Sequence, residues 1–305
     1  MMTLSGKRHG VELILTILAL AGVCPSPFAE ESGNPAAHLR EKYASLTEQL
    51  SHNPFRRQLY LTSTESESTL TGDIYAVLDY PFASVNGTLN DPAQGPANWC
   101  DVLILHLNVK YCRASASGNS VHLTVNLGRK VEEKLSSTYR VQFNYRAVAT
   151  GPGYFQVDLD ADTGPMSTRD YRIALEATSI AAGRTFLHLT YSYSYGTAGR
   201  IAMKAYLATL GRGKVGFTTA RDASTGKTEY IGGVRGLVER NTMRYYLAID
   251  AYLGTLPFPP RERFDQRLAN WFDATEQYSR QLHEVDRNAY MDMKHNEYQR
   301  QQIMQ

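Results

Sequence analysis

The chain has 305 residues, 43% of them hydrophobic and 20% charged, enough for one large domain or two smaller ones with a buried core. Its formal charge of +2 excludes the strongly basic footprint of a nucleic-acid binder. Tyrosine is over-used, with 20 against 10 phenylalanines and 2 tryptophans, so apolar area carrying polar tips must have a place in the fold.

Residues 1–29 read as a signal peptide. Lys7, Arg8 and His9 precede the apolar run "VELILTILALAGV", and Pro25 and Pro27 follow it. The run is too short to span a membrane, and Glu12 interrupts it. Cleavage is expected after Ala29, with Ala21 as the alternative. Lipidation at Cys24 is disfavoured by Val23, which stands where a small residue belongs. The competing reading of the whole segment is a buried core helix. Its basic N-terminal start favours export, so a periplasmic or secreted location is expected. Cys100 and Cys112 then remain, either as a disulfide suited to an oxidising compartment or as two buried thiols.

An N-terminal helical segment is expected over 30–58, containing one helix from Pro35 to Leu50 with Leu39, Tyr43, Leu46 and Leu50 at helical spacing and "SHNP" ending it. Loosely alternating residues from Leu70 to Leu78 lead into "YPFASVNGTLND". Pro81 removes a ladder donor and suits a first helical turn, so strand hands over to helix there. A run of cleaner strands follows. Val121, Leu123, Val125 and Leu127 share one face, as do Tyr139, Val141, Phe143, Tyr145 and Ala147. After the turn at Gly151–Gly153 come Phe155, Val157 and Leu159, then Tyr171, Ile173, Leu175 and Ala177. The last strand puts Leu187, Leu189, Tyr191, Tyr193 and Tyr195 together, opposite His188, Thr190, Ser192 and Ser194. This is an antiparallel meander with one apolar face to bury.

A short helical piece (Ile201 to Leu210) and a hairpin (Lys214 to Ile231) separate the meander from a long helix starting at Val234. Val234, Val238, Tyr245, Ile249 and Tyr252 form the stripe that would cover the sheet. "PFPP" marks a boundary, and a helical tail occupies 257–305. Phe264, Leu268, Trp271, Thr275, Tyr278, Leu282, Val285 and Ala289 make a heptad seam over 261–289. The seam serves either self-association or a protein partner, or else a tail packed on its own domain.

Catalytic signatures are weak. "DLDADTG" (Asp158 to Gly164) lacks the spacing and the final glutamate of a calcium loop. A lone "DTG" lacks the second carboxylate of an aspartic protease, so a turn between strands is the better account. "GRGKVG" lacks the upstream glycine and the hydroxyl residue of a phosphate loop. The scattered histidines give no metal pattern, and neither a metal nor a cofactor is expected. His106 and His188 are candidate general bases, though a hydrogen-bonded structural histidine is the commoner outcome. The informative set is Tyr145, Tyr171, Tyr191, Tyr193 and Tyr195 from the sheet with Tyr245 and Tyr252 from the covering helix, together with Leu189 and Ile249. A buried hydroxyl without a partner costs roughly 1–3 kcal/mol. A cavity holding water or an amphipathic ligand would satisfy several at once. The alternative places some of them at the sheet rim.

The order of elements resembles the START-like, or helix-grip, superfamily (SRPBCC, Bet v 1-like). "IYAVLDY" enters the proline-marked "PFASVNGTLND", Trp99 in "NWC" closes the helical pair, and a meander and a long helix follow. The likeness covers 59–256 in topology and Gly72 to Cys100 in local pattern. It implies an α+β helix-grip fold: a curved antiparallel sheet wrapped around a long C-terminal helix, with a tunnel between them gated by the helices after Pro81. The superfamily has no universal catalytic motif, so no catalytic residue is carried over. The signal peptide, the piece at Ile201–Leu210 and the tail after Pro257 depart from the pattern.

The leading expectation is an exported, non-enzymatic protein holding a lipid or other apolar small molecule, with transient membrane contact as a further partner. A cyclase- or hydrolase-like enzyme using Tyr191, Tyr193 and His106 in the same cavity is the alternative. An outer-membrane barrel would suit exported alternating strands but not the long helices.

Overall fold

The computed structural model describes residues 34–209, 211–221 and 226–304. The expected signal peptide, both cleavage positions and Cys24 lie outside the described residues.

Period-2 alternation produces the strands read at 70–78 and between 121 and 195, and two edge strands, at 59–65 and 109–117, join them without having been legible in the pattern. Strands β1 (Leu59–Glu65), β2 (Thr69–Leu78), β3 (Val109–Ser117), β4 (Ser120–Leu127), β5 (Tyr139–Gly151), β6 (Tyr154–Thr163), β7 (Thr168–Ala181) and β8 (Arg184–Tyr195) form one antiparallel sheet. The order is β1-β2-β8-β7-β6-β5-β4-β3, with β1 and β3 at the edges. Strands β3 to β8 pair with their sequence neighbours, as hairpins require, and β2 closes onto β8 with Ile74 opposite Leu189. Helices α3 (Phe82–Leu89) and α4 (Gly95–Leu103) fill the connection from β2 to β3. Pro81 is the N-cap of α3, and its carbonyl accepts from the Ser84 and Val85 N–H groups. Trp99 donates to the Leu89 carbonyl at 3.0 Å, tying α4 to α3. A disulfide between Cys100 and Cys112 then staples α4 to β3.

Helix α6 (Gly233–Leu253) packs on β1, β2 and β8, and its core residues Val238, Tyr245, Ile249 and Tyr252 join one cluster with the inner face of the sheet. This strand order and seating are the α+β helix-grip architecture that the sequence resemblance implies. A membrane barrel has an apolar outside and a polar lumen; here the apolar residues are inside, around α6. Among the described residues, no helix is long and apolar enough to cross a membrane.

Three segments differ from the sequence pattern. The single expected helix over 35–50 is two, α1 (Pro35–Ser45) and α2 (Thr47–Ser51), and Ala36 and Leu39 cover Val77, Tyr154 and Phe186 on the outer face of the sheet. Helix α5 (Thr197–Ala208) starts four residues earlier than read, and β9 (Thr219–Arg221) pairs with β10 (Thr228–Tyr230) in the expected hairpin. The tail is three helices, α7 (Pro260–Glu276), α8 (Ser279–Leu282) and α9 (Arg287–Met304), rather than one continuous seam. Leu268, Trp271 and Leu282 enter the core around α6, whereas Ala289 is exposed.

Helix α9 covers the edge strand β3. Gln301 accepts the Cys112 N–H at 2.9 Å, filling a ladder position that an edge strand leaves open. Beside it, Glu297 sits between Lys110 (2.9 Å) and Lys294 (2.7 Å), all three fully buried. Lys294 also donates to the His106 and Val109 carbonyls. Two buried ammonium groups share one carboxylate, so removing that charge leaves both uncompensated. Glu297→Gln is expected to lower unfolding stability by about 3–5 kcal/mol, read as a reduced urea midpoint at constant slope.

Candidate ligand-binding site

The inner face of the sheet and one side of α6 bring aromatic rings together. Tyr171 on β7 lies parallel to Tyr193 on β8, with ring centres 5.2 Å apart. Tyr191 contacts Tyr171 at 6.2 Å and reaches Tyr245 of α6 at 5.2 Å. His106, just past α4, stacks on Tyr245 at 4.9 Å. The alternation of β7 and β8 places the sheet rings, and helical spacing from Asn241 places Tyr245 one turn along. Tyr191 and Tyr245 are buried, keeping 5% and 8% of their surface accessible.

The hydroxyls are unevenly partnered. Tyr171 pairs with Thr168 at 2.8 Å, and Tyr193 has only the soft Met203 sulfur at 3.9 Å. Asn241 lies beside the Tyr191 hydroxyl, and the Tyr245 hydroxyl makes no hydrogen bond among the described residues. Burial, reinforced by neighbouring tyrosines, pushes the Tyr191, Tyr193 and Tyr245 hydroxyls well above their ordinary range, so they act as neutral donors.

A charged group borders these rings. Arg240 and Arg244 lie one helical turn apart on α6, each 1% exposed. Glu284, between α8 and α9, accepts from Arg244 at 2.8 Å and also pairs with Lys130 and Lys214. Burial would raise the Glu284 carboxyl, but Arg244 and Lys130, with Lys214, hold it down at about 2. The cations compete for that one carboxylate. Burial and the neighbouring Arg244 accordingly lower Lys130 to about 7, and burial and Arg244 lower Arg240 to about 10. Burial, then Arg244, Lys294 and Lys130, lower His106 far below its usual value, so its ring is neutral. The Asn108 N–H donates to His106 Nδ1 at 3.1 Å, which leaves the ring proton on Nε2.

The remaining expected site residues are spread around this centre. Tyr145 donates to the Leu89 carbonyl, packing against α3, and Tyr252 donates to Asn98 with Arg267 over its ring at 3.8 Å. Tyr195 reaches toward Glu65 with Arg200 near its ring, at the rim. Leu189 and Ile249 are fully buried apolar filling. Four of the seven tyrosines therefore converge (Tyr171, Tyr191, Tyr193 and Tyr245), and the other three anchor separate elements.

His188 lies on the outer face, clamped between Asp73 and Glu176 at 2.8 Å each and stacked on Tyr75. Burial opposes its charge, but the two carboxylates raise its pKa, and it serves as a clasp across β2, β8 and β7. Asp158 pairs with Arg146 and Arg172, and "DTG" closes β6 into the turn before β7. Among the described residues, no group of three or more His, Cys, Asp or Glu could hold a metal ion.

Two clefts open toward the surface. The larger, about 780 Å³, is polar, and lies between residues 50–58, the end of β2, Arg184, and Tyr246 and Asp250 of α6. The smaller, about 530 Å³, lies between the β1–β2 turn, Tyr195, α5 and the start of α6. Met203 lines it and touches Tyr193, so this cleft leads toward the tyrosine cluster. The sequence reading missed Arg240, Arg244, Asn241 and Glu284. Two arginines at i and i+4 on the helix expected to cover the sheet were the available signal, and only their burial gives it meaning.

Neither a protein-family model nor a curated protein matches the sequence. Among solved structures, the chain is similar to a point mutant of norcoclaurine synthase from Thalictrum flavum in complex with a transition-state analogue. The identity is 9%, over 48% of this chain and 91% of that one, with a TM-score of 0.34. It is also similar to human StAR-related lipid transfer protein 5, with 9% identity, 57% and 89% coverage, and a TM-score of 0.31. The ZhuI aromatase/cyclase from Streptomyces sp. R1128 shows 11% identity, 49% and 86% coverage, and a TM-score of 0.31. The fold assignment stands on the strand order and the seating of α6 in this chain itself.

The charge cluster makes stability sensitive to acid. The contribution of Glu284 is complete above the unfolded carboxyl pKa of about 4.3 and is lost as pH falls through its folded value of about 2. Glu284→Gln is expected to cost about 3–5 kcal/mol at neutral pH and to flatten the loss of stability between those values, measured by urea titrations across that pH range.

Proposed function

We propose that this protein holds a lipid-like or other apolar small molecule between the inner face of its sheet and α6, and that it does so outside the cytoplasm. The observation that carries the reading is the cluster of Tyr171, Tyr191, Tyr193 and Tyr245 with His106, whose Tyr193 hydroxyl meets Met203 at the wall of the smaller cleft. Ring faces give a ligand apolar contact at roughly 25 cal/mol per Å² removed from water, and under-partnered hydroxyls orient one polar end.

The route in is the cleft beneath α5. Helices α3 and α4 are held by Trp99, the Asn98 side chain on the Thr88 carbonyl and the Cys100–Cys112 disulfide, which makes them poor gates. By contrast, α5 buries only Gly199 and Met203 and exposes Ile201. The disulfide and the basic-then-apolar N-terminus support export to an oxidising compartment.

The enzymatic alternative needs an acid–base pair in this space. The neutral ring of His106 favours it, because its base form is already present. Against it, His106 Nδ1 is occupied by the Asn108 N–H, and the neighbouring tyrosines are pushed away from neutral pH. Holding a ligand requires neither group to titrate.

Protein purified under native conditions is expected to release apolar small molecules on organic extraction, with a matching mass excess in native mass spectrometry. Delipidated protein should then gain about 2.7 kcal/mol of stability with a binding amphiphile at a hundred times its dissociation constant. An interior that carries nothing and a melting temperature unmoved by any chain-length series would refute the reading.

A further inference from the structure

Four donor atoms beside the tyrosine cluster have no acceptor. Arg240 Nε and Nη2, Arg244 Nε and His106 Nε2 are all buried and make no hydrogen bond in the structure. Arg240 spends one nitrogen on the Val215 carbonyl at 3.1 Å, and Arg244 spends others on Glu284, the Leu282 carbonyl and Asn241. His106 presents Nε2–H because Asn108 occupies its other nitrogen. These groups belong to one neighbourhood: Arg240 and Arg244 interact with each other and with Tyr206, Arg240 with Tyr193, and Arg244 with His106. Asn241 lies beside both His106 and Tyr191.

The charges are also unbalanced. The groups facing Arg240 and Arg244 are Lys130, Lys214, Glu284, Glu239, Tyr206 and His106. Glu239 is already saturated by Ser63, the Phe217 and Thr218 N–H groups and the Thr218 hydroxyl. Glu284 alone then serves Arg244, Lys130 and Lys214, and Arg240 has no carboxylate within pairing distance among the described residues. A buried guanidinium with unfilled donors is costly unless an acceptor arrives.

From these unfilled donors beside an aromatic cage, we propose that the ligand of the interior site is an amphiphile with an anionic oxygen headgroup, carboxylate or phosphate, whose oxygens are received by Arg240, Arg244 and His106. The inference rests on the ligand-holding reading and adds the chemistry of the ligand's polar end. The apolar body lies against Tyr171, Tyr191, Tyr193 and Tyr245. A neutral headgroup such as an alcohol fills the same cage but leaves the guanidinium donors short of acceptors.

The test compares three ligands of equal chain length, dodecanoate, dodecyl phosphate and dodecan-1-ol, by calorimetric titration of the full delipidated chain and of the variants Arg240→Met and Arg240→Lys. The wild type is expected to bind at least one of the two anions ~10-fold or more tightly than the alcohol, the scale of one charge-assisted hydrogen-bonded contact. Which anion binds more tightly identifies the headgroup. In Arg240→Met the ratio should fall toward one, whereas Arg240→Lys should keep a measurable preference. Equal affinity for all three ligands in the wild type overturns the headgroup inference while leaving the ligand-holding reading intact. Binding of none of them overturns both. If Arg240→Met and Arg240→Lys weaken all three ligands alike, Arg240 acts only on packing, and the inference falls on that result too.

Discussion

A helix enclosed by the rest of its own chain must find partners for its charges inside the protein, and α6 carries five: Arg235, Glu239, Arg240, Arg244 and Asp250. Sheet, loops and tail surround it, so Glu239, Arg240 and Arg244 are almost entirely removed from water, and Asp250, paired with Arg57, largely so at its C-terminal end. Burying an ionised side chain without compensation is prohibitive, so the surrounding segments supply the partners. Residues 217–218 and Ser63 satisfy Glu239. The turn at Glu284 satisfies Arg244, and Arg57 with Tyr80 satisfies Asp250. The insert after β8 and the tail after Pro257 are therefore structural complements of α6 as well as additions to the sheet.

The same constraint bears on the proposed binding site. Wherever the surroundings meet a charge in full, the helix is simply packed. Where they fall short, at Arg240 and at Arg244 Nε, the shortfall lies in the neighbourhood of rings with under-used hydroxyls. A void lined only by apolar groups stays dry and unselective. A void with oriented donors at one end and aromatic faces at the other selects an amphiphile and its direction of entry. Neutral tyrosines and a neutral His106 keep the aromatic part free of charge, which in the proposed site leaves the recognition of charge to the arginines.

Much of the fold was legible in the sequence. The alternation of Leu187, Leu189, Tyr191, Tyr193 and Tyr195 specified a half-buried strand, because an extended chain points successive side chains to opposite faces. Pro81 specified the handover from strand to helix, because it cannot donate to a ladder. The site was legible only in part. Tyr171, Tyr191, Tyr193 and Tyr245 were on the inner face as their spacing required, yet the same spacing also selected Tyr145, Tyr195 and Tyr252, which serve α3, the rim and α4 instead. Periodicity reports which face a residue occupies and not which part of that face is covered by what.

The tail shows the same limit from the other side. Its seven-residue spacing from Phe264 to Ala289 matched a coiled-coil seam, but the chain turns twice, and Leu268, Trp271 and Leu282 close over α6. By itself the sequence determined the strand and helix periods, the turn positions and the α+β class, since these depend on neighbours within a few residues. Only the tertiary structure decided that α6 is enclosed, that Glu284 is shared among three cations and that Arg240 has no carboxylate within pairing distance among the described residues. Those facts depend on residues between 25 and 154 positions apart meeting where water is largely excluded, so that the balance of charge is a property of the whole assembly of elements and of no single segment.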